Sequence, residues 1–432
     1  MSRAISRAWD VYNNEGLSRL LNSSASFSSR VLSPKQASIS GLVKLLTIYY
    51  RKDLKQYCKE SAGDNSIFYY SEREEHMINE PTTPDDIPTK FRDVVGEHTM
   101  QRPFVATVEN GTIHENGLVT TSDGAIILET LNSRRDQLED GMSYKNFIDV
   151  IGAQLSNGSE VTDCDYKLAC PLISSTVFGK PNLEVSSYNG HSGILLNLLP
   201  RLEGVREYEE RYDRYPILLL GPSIRPLLRE MIELLGFDQN RIVEWNGERV
   251  EMKEMIIPSV RSPENKIGKY YHDIKGHANY KFISKLGAEW VRDTSVSNID
   301  QEDDQFSDRI YISRQDASCR RVHNQEDLIN LLSRYNFQPY ELSKYSWKEQ
   351  VQMFYNAEAV VAPHGAGLAN IMFCTDCKVI EIFGPKRKPT FFMLAEKNSQ
   401  YYGMTTEKTE GDDIIVNVEK ISDLIETMGI SE

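Results

Sequence analysis

A short stretch near the carboxyl end of the chain, VVAPHGAGLANIMF, has residue types that could hold an anion. A run of β-forming residues leads into Pro363-His364-Gly365-Ala366-Gly367, and a helical pattern follows. The free N–H groups and the macrodipole at a helix start favour negative charge there. Glycine lets the backbone approach a diphosphate without a Cβ in the way, and His364 could donate a hydrogen bond to a phosphate or a ribose. The alternative is a tight corner in which glycine only relieves strain.

Four further side chains could complete such a site. Arg314 ends the predicted strand RIYISR, Arg320 and Arg321 follow it in a loop, and Glu381 lies near the end of the predicted strand KVIEIF. The carboxyl ends of parallel strands form a ligand-binding edge. Guanidinium groups suit a diphosphate through bidentate donors, and a carboxylate could accept both hydroxyls of a ribose. The alternatives are a surface salt bridge for Glu381 and solvated loop arginines.

Composition favours an ordinary soluble globular protein. The 432 residues are 40% hydrophobic and 26% charged, which suggests two domains plus an extension. The formal charge of -14 disfavours non-specific nucleic-acid binding. No apolar run approaches the roughly 20 residues of a membrane span, the start lacks the pattern of a secretory signal, and six cysteines do not suggest a disulfide framework. The expected compartment is the cytoplasm.

Linker and turn residues, and a change in the predicted secondary structure, divide the chain into segments. NEPTTPDDIPTK indicates a linker that ends near residue 90, and Asn-Gly and Asp-Gly pairs within FVATVENGTIHENGLVTTSDGAIILET predict a β-meander after it. From residue 188 onwards, strands alternate with helices, which predicts a mostly parallel sheet. The predicted segments are a helical N-terminal extension with its linker at 1–90, a first α/β domain at 91–293, an acidic connection at 294–308 and a second α/β domain at 309–432.

The N-terminal extension combines apolar residues at near-helical spacing with several arginines, and a second apolar stretch, ISGLVKLLTIYYRK, ends in a basic pair. One interpretation is a helical pair that packs on the protein itself. The other is an interfacial helix that rests on a membrane surface.

Three stretches, RIYISRQDASCRRVHNQEDL, QVQMFYNAEAVVAPHGAGLANIMF and KVIEIFG, together resemble glycosyltransferase family 61, which includes capsular polysaccharide biosynthesis-like proteins. FVATVENGTIHENGLVTTSDGAII and NGHSGILLNLLPRL resemble the family's N-terminal half, so the resemblance covers roughly residues 100 to 405. It implies a GT-B fold, with two Rossmann-like α/β domains facing a cleft. It also implies an inverting transfer of a hexose or pentose from a nucleotide sugar.

The resemblance implies that the C-terminal domain holds the donor and the N-terminal domain the acceptor. His191 begins a helix in the N-terminal domain, and we favour it as the base that takes the acceptor's proton, or as a contact to the acceptor, over a helix-capping role. Asp123 and Asp165 are the carboxylate alternatives. Ser192 stands where the family commonly has tryptophan. The predicted donor-binding residues are Ser313, Arg314, Arg320, Arg321, His364, Gly365, Ala366, Gly367, Asn370 and Glu381.

Two motifs suggest metals but are discounted. Asp163–Asp165 has the spacing of a metal-binding Asp-x-Asp, although no clear apolar strand precedes it. Cys374 and Cys377 have zinc spacing without a second pair nearby. We therefore predict no metal site and no cofactor, with the nucleotide sugar as substrate.

The expected acceptor is a glycan or a lipid-linked oligosaccharide, in polysaccharide biosynthesis or protein glycosylation. The N-terminal extension would hold the enzyme on the inner face of the membrane. A catalytically silent nucleotide-binding protein of the same fold is the alternative. A dinucleotide oxidoreductase is disfavoured because no Gly-x-Gly-x-x-Gly follows an early strand with an acidic residue about 20 positions on.

Overall fold

Most of the chain beyond residue 50 is described by a computed structural model. Within it, the chain forms two halves, each built around a sheet of its own. The described ranges are 51–52, 54–62, 66–80, 89–92, 94–113, 119–122, 126–127, 162–163, 166–172, 191–221, 224–246, 248–261, 283–302, 305–384, 387–395, 399–408 and 413–432. The predicted membrane-surface helix lies outside these residues.

The first half contains a ten-stranded mixed sheet and a separate hairpin. Its strands are β1 (Arg51–Lys52), β2 (Ile67–Tyr69), β3 (Glu74–Ile78), β4 (Gly96–Met100), β5 (Phe104–Ile113), β6 (Val119–Thr120), β7 (Ile126–Ile127), β8 (Thr162–Asp163), β9 (Ala169–Pro171), β10 (Ile217–Leu220), β11 (Ile242–Glu244) and β12 (Val250–Pro258). The sheet order is β1-β7-β6-β5-β12-β9-β10-β11, with β2 paired to β5 and β8 to β12, while β3 pairs with β4.

The β-meander is present, but one predicted turn is not. β5, β6 and β7 pair antiparallel in succession. Asn110-Gly111, however, lies inside β5, which keeps a constant register with β12 on both sides of this pair. Within this continuous strand, Asn110 has a φ of 49°, in the left-handed region that asparagine adopts more readily than most residues. Since β12 runs antiparallel to β5, the first sheet is mixed and not mostly parallel as expected.

Helices cover the first sheet. They are α1 (Leu54–Tyr57), which continues as a π-helical turn (Cys58–Ala62), α2 (Thr89–Arg92), α3 (His191–Gly193), which continues as a π-helical segment (Ile194–Leu198), α4 (Arg201–Tyr212), α5 (Pro226–Leu234), a 3-10 turn (Gln239–Arg241) and α6 (Lys285–Val296). Two boundaries differ from expectation. β1 and β2 join the first sheet, so this half begins before residue 90. The acidic connection expected from Thr294 starts inside α6.

The second half is an open, fully parallel sheet with a small hairpin. Its strands are β13 (Arg309–Ile312), β14 (Gln338–Tyr340), β15 (Ala359–Pro363), β16 (Cys377–Phe383), β17 (Ser399–Thr405), β18 (Glu407–Lys408) and β19 (Ile414–Ile415). Its helices are α7 (Gln325–Arg334), a 3-10 turn (Leu342–Lys344), α8 (Trp347–Tyr355), a 3-10 helix (Ala366–Phe373), α9 (Thr390–Ala395) and α10 (Val418–Thr427). The order β14-β13-β15-β16-β17 is that of a doubly wound α/β domain, as the alternating pattern predicted.

The sequence of α8 shows why this helix forms and which way it faces. Ser346 and Glu349 form a reciprocal capping box at its start. Trp347, Val351 and Phe354 recur at helical spacing and are fully buried. α8 therefore lays one apolar stripe against the sheet, and any polar residue on that stripe is buried with it.

Two cores flank the second sheet. One fills the face covered by α7 and α10. The other fills the face covered by α8, the 3-10 helix and α9, and it continues without interruption into the core of the first half. Leu195 and Leu202 belong to the same buried cluster as Trp347 and Phe373. The two halves are therefore packed against each other through apolar side chains.

Candidate functional site

The strand order of the second sheet marks one edge as a ligand site. β13 and β15 are neighbours, but the chain leaves β13 towards α7 on one face and leaves β15 towards the 3-10 helix on the other. In open α/β sheets, the crevice at such a switch point binds ligands outside the carboxyl ends of the strands. Ser313-Arg314 and His364-Gly365 directly follow these two strands.

Gly365 is required for space rather than for backbone conformation. Its φ of -173° is ordinary extended backbone. A Cβ at this position would lie 2.2 Å from Nη1 and 2.9 Å from Cζ of Arg314. The guanidinium of Arg314 therefore lies directly on the glycine, and the turn and the arginine form one surface. Gly367 is also required for space, since a Cβ there would lie 2.9 Å from Cδ1 of Leu342.

Positive charge is concentrated at this edge. The guanidinium of Arg314 donates through Nη2 to the carbonyl of Cys319 at 3.3 Å, and its buried Nε has no hydrogen-bond partner. Burial lowers the pKa of Arg314, and the charge of Arg320 lowers it further, while Asp316 partly offsets this. Arg314 forms no salt bridge among the described residues. A buried, unsatisfied N–H beside a second cation is the arrangement that an anion would complete.

The ring of His364 is hydrogen-bonded to the buried carboxylate of Glu381. Its Nδ1 hydrogen-bonds Oε1 of Glu381, whose other oxygen accepts a hydrogen bond from the hydroxyl of Tyr401. Glu381 is fully buried, and burial together with the Glu381 charge raises the pKa of Tyr401. Glu381 therefore does not reach a ribose as predicted, because both carboxylate oxygens are already used. It orients His364, whose backbone oxygen accepts from Nη1 of Arg320 at 2.8 Å.

Two other predicted donor-binding side chains point elsewhere. The buried hydroxyl of Ser313 donates to Oε1 of Gln325 at 3.0 Å. Arg321 is exposed, and its side chain pairs with Asp413 at 3.0 Å. Ser313 thus anchors the start of α7, and Arg321 ties its loop to the segment that precedes β19. Neither faces the crevice, because each already has a partner behind it.

His191 meets Asn370 across the contact between the two halves. Nε2 of His191 lies 2.5 Å from Oδ1 of Asn370, and Nδ2 of Asn370 donates to Oε1 of Gln350 at 3.0 Å. Asn370 is fully buried, so it contacts His191 and not the donor as predicted. Burial lowers the pKa of His191; the bond to Asn370 opposes this, and the charge of Arg225 adds to it. Burial thus favours the neutral form of the His191 ring.

An aromatic neighbour stands beside His191 although the next residue, Ser192, is not aromatic. The ring of Trp347 meets that of His191 edge-on, with 5.4 Å between centroids. Trp347 comes from α8 in the other half and also packs against Phe373. The aromatic neighbour of His191 is thus supplied from the second half of the chain.

Sequence reasoning missed Gln350 and Tyr401. Gln350 had a signal, since a glutamine on the apolar stripe of a predicted helix is a buried polar residue in need of partners. Tyr401 had none, because only the pairing of β16 with β17 brings it to Glu381. Asp123 and Asp165 lie outside the described residues. Cys374 and Cys377 are buried, and within the described ranges no group of three or more His, Cys, Asp or Glu side chains is placed to hold a metal ion.

Comparison with known proteins finds a family that part of this chain resembles. The family model for Glycosyltransferase 61 matches residues 194–380. The matched segment is therefore similar to glycosyltransferase 61. It includes Arg314, Gly365 and Asn370, while His191 and Glu381 flank its two ends.

Among curated proteins, the chain is similar to EGF domain-specific O-linked N-acetylglucosamine transferases from dog (Canis lupus familiaris), rat (Rattus norvegicus) and chimpanzee (Pan troglodytes). Each is 21% identical over 174 residues, which cover 38% of this chain and 32% of the relative. The chain thus spans about a third of the length of the curated relatives that it matches. Of the helices in the described part, none is long and apolar enough to cross a membrane.

Proposed function

We propose that this protein is an inverting glycosyltransferase that moves a sugar from a nucleotide-diphosphate donor to an acceptor hydroxyl. The observation behind the proposal is the contact between Arg314 and Gly365 at the switch point. A partly buried guanidinium lies on a glycine with an unpaired Nε, beside the second cation Arg320. A diphosphate would supply the missing acceptors, and the family match supports a sugar nucleotide as its source.

The chemistry assigns a role to each half. The edge with Arg314 and His364 would hold the diphosphate and stabilise its charge as the sugar leaves. His191 would accept the proton of the acceptor hydroxyl as its oxygen attacks the anomeric carbon. Because His191 touches Asn370, a donor bound at the switch point would lie close to this base. The proposed layout is GT-B, with the first half on the acceptor side.

The remaining parts of the proposal concern the substrates, the location of the reaction and its metal requirement. The relatives' names make a nucleotide-activated N-acetylglucosamine the first donor to test. The proposed acceptor is a glycan or a lipid-linked glycan on the cytoplasmic face of a membrane. We further propose that transfer needs no metal, since arginine and histidine side chains at the switch point can balance the diphosphate charge.

Thermal stabilisation by a panel of nucleotides and nucleotide sugars tests the donor site. A ligand that binds only the folded state raises the melting temperature by mass action. We expect one nucleoside diphosphate to stabilise the wild-type protein and the Arg321→Ala variant but not Arg314→Ala. Arg321 is the matched control because it is a neighbouring arginine whose charge is already paired with Asp413. Equal stabilisation of both variants would contradict the proposed site.

Sugar transfer separates an enzyme from a silent nucleotide-binding protein. With a radiolabelled donor and a panel of glycan acceptors, we expect the His191→Gln variant to bind the nucleotide normally while transfer falls by about 10²- to 10⁴-fold, the usual contribution of a general base. Binding without transfer in the wild-type protein would favour the silent binding protein. Adding EDTA should leave transfer unchanged.

A further inference from the structure

Two polar side chains, Asn370 and Gln350, connect His191 to two backbone carbonyls, and only one assignment of donors and acceptors satisfies every contact. Nε2 of Gln350 lies 3.0 Å from the carbonyl oxygen of Leu342 and 3.1 Å from that of Tyr345. Carbonyl oxygens only accept hydrogen bonds, so the end of Gln350 that meets them must be the NH₂ group. The Oε1 end of Gln350 therefore points towards Asn370.

The same argument applies to the next two contacts, from Gln350 to Asn370 and from Asn370 to His191. An oxygen of Gln350 can only accept, so the group of Asn370 that meets it at 3.0 Å is Nδ2. This leaves Oδ1 of Asn370 facing Nε2 of His191 at 2.5 Å. Oδ1 has no hydrogen to give, so Nε2 must bear one. Amide and imidazole orientations are ordinarily ambiguous, but here the two backbone carbonyls decide them.

We infer that Gln350 and Asn370 are positioning residues that fix the tautomer of His191, so that its Nδ1 is the atom that accepts the acceptor's proton. Nδ1 makes no hydrogen bond in the described part of the chain. Asn370 is fully buried and Gln350 is 2% exposed, so water does not compete for these bonds. This inference rests on the proposed function for its catalytic part.

The proton and electron balance is complete with these groups. Nδ1 takes the proton of the acceptor hydroxyl while the oxygen forms a bond to the anomeric carbon. The bond from that carbon to the diphosphate breaks, and its electron pair leaves with the diphosphate. The imidazolium that results donates through Nε2 to Asn370 and later releases the Nδ1 proton to solvent. Arg225 is the charged group that acts on this ring, and the Trp347 ring covers its edge.

The tautomer can be measured without any assay of activity. The full-length protein, labelled with ¹⁵N-histidine, would give separate Nδ1 and Nε2 signals, and His191→Gln would identify those of His191 among the eight histidines. We expect a neutral ring with its hydrogen on Nε2 at pH 7.5. A ring with the hydrogen on Nδ1 would overturn the inference.

Kinetics of matched variants test whether the bonds matter for transfer. Gln350 and Gln352 are both buried on α8, and Gln352 donates to the carbonyl of Asp300 at 2.8 Å, away from His191. We expect Gln350→Met to lower kcat by about 10- to 100-fold with little change in KM for the donor, as a misplaced catalytic group does. Gln352→Met should leave both constants near wild type.

Asn370 offers a rescue test. Asp at this position can still accept from Nε2, whereas Leu cannot, so Asn370→Asp should retain more activity than Asn370→Leu and shift the acid limb of its pH–rate profile upwards. Equal losses in Gln350→Met and Gln352→Met, or in the two Asn370 variants, would contradict a positioning role. If no donor gives transfer, the proposed function fails, while the NMR result still decides the tautomer.

Discussion

Replacing Gly365 by alanine tests the central contact of the site with one methyl group. The added Cβ would lie 2.2 Å from Nη1 of Arg314. To reach the 3.4 Å of ordinary contact, the guanidinium must retreat by about 1.2 Å. The backbone need not change, because the φ of Gly365 is extended and suits alanine. The clash involves the free end of a long side chain, so the fold should survive.

The expected loss is in ligand affinity and not in folding. A charge-assisted hydrogen bond contributes about 1.5 to 3 kcal/mol, and about 1.4 kcal/mol corresponds to a tenfold change in Kd. Displacing the Arg314 guanidinium should therefore raise the Kd for the stabilising nucleoside diphosphate by about 10- to 100-fold. Isothermal titration calorimetry would measure the Kd, and denaturation without ligand would show whether stability is kept.

A double-mutant cycle shows whether the glycine acts through the arginine. If it does, Gly365→Ala combined with Arg314→Ala should bind no more weakly than Arg314→Ala alone. Additive losses would mean that Gly365 contacts the ligand independently. Wild-type affinity in Gly365→Ala would refute the argument that the guanidinium and the turn form one binding surface.

Three further predictions follow from the buried polar groups. Burial raises the pKa of Glu74 above its ordinary 4.5. The stability that protonated Glu74 contributes is therefore complete below pH 4.5 and is lost as the pH rises through the folded-state pKa. Urea denaturation of Glu74→Gln should accordingly show a weaker pH dependence above pH 4.5 than that of the wild type. Burial lowers the pKa of His191 below its ordinary 6.5, so the acid limb of kcat/KM should have its midpoint below pH 6.5; a midpoint at or above that value would contradict a buried neutral base. Tyr401→Phe removes a donor to the buried Glu381 and should cost about 1 to 3 kcal/mol of unfolding free energy. Tyr402→Phe removes a hydroxyl that makes no hydrogen bond to any residue that the structure describes, and it should cost much less; equal costs would refute the difference.

Local patterns in the sequence predicted the second half of the fold well. Alternating strands and helices indicated an open parallel sheet, and the Pro-His-Gly-Ala-Gly motif indicated its binding edge, because both signals lie within a few consecutive residues. In the first half the same reasoning predicted the β-meander but not the remaining partner of β5. The antiparallel pairing of β5 with β12 joins segments more than 100 residues apart, and no local pattern specifies such a partner.

The sequence predicted which residues gather at the switch point, and their roles in binding stay a prediction. Arg314, His364 and Gly365 lie together at the switch point, as their positions after strands implied. Glu381 and Asn370 also lie there, but as buried supports. A sequence indicates which element a side chain follows, but the direction in which it points depends on the alternation of faces and on partners such as Tyr401, which only the folded chain supplies.

The apolar core shared by both halves limits how this protein can be rebuilt. Separate expression of residues 309–432 would remove the first half from the buried cluster that contains Trp347 and Phe373 together with Leu195 and Leu202. A chimera that exchanges one half with a relative would need matching side chains along the whole seam. New donor or acceptor specificities are therefore better introduced through the loops at the strand ends than by exchanging halves.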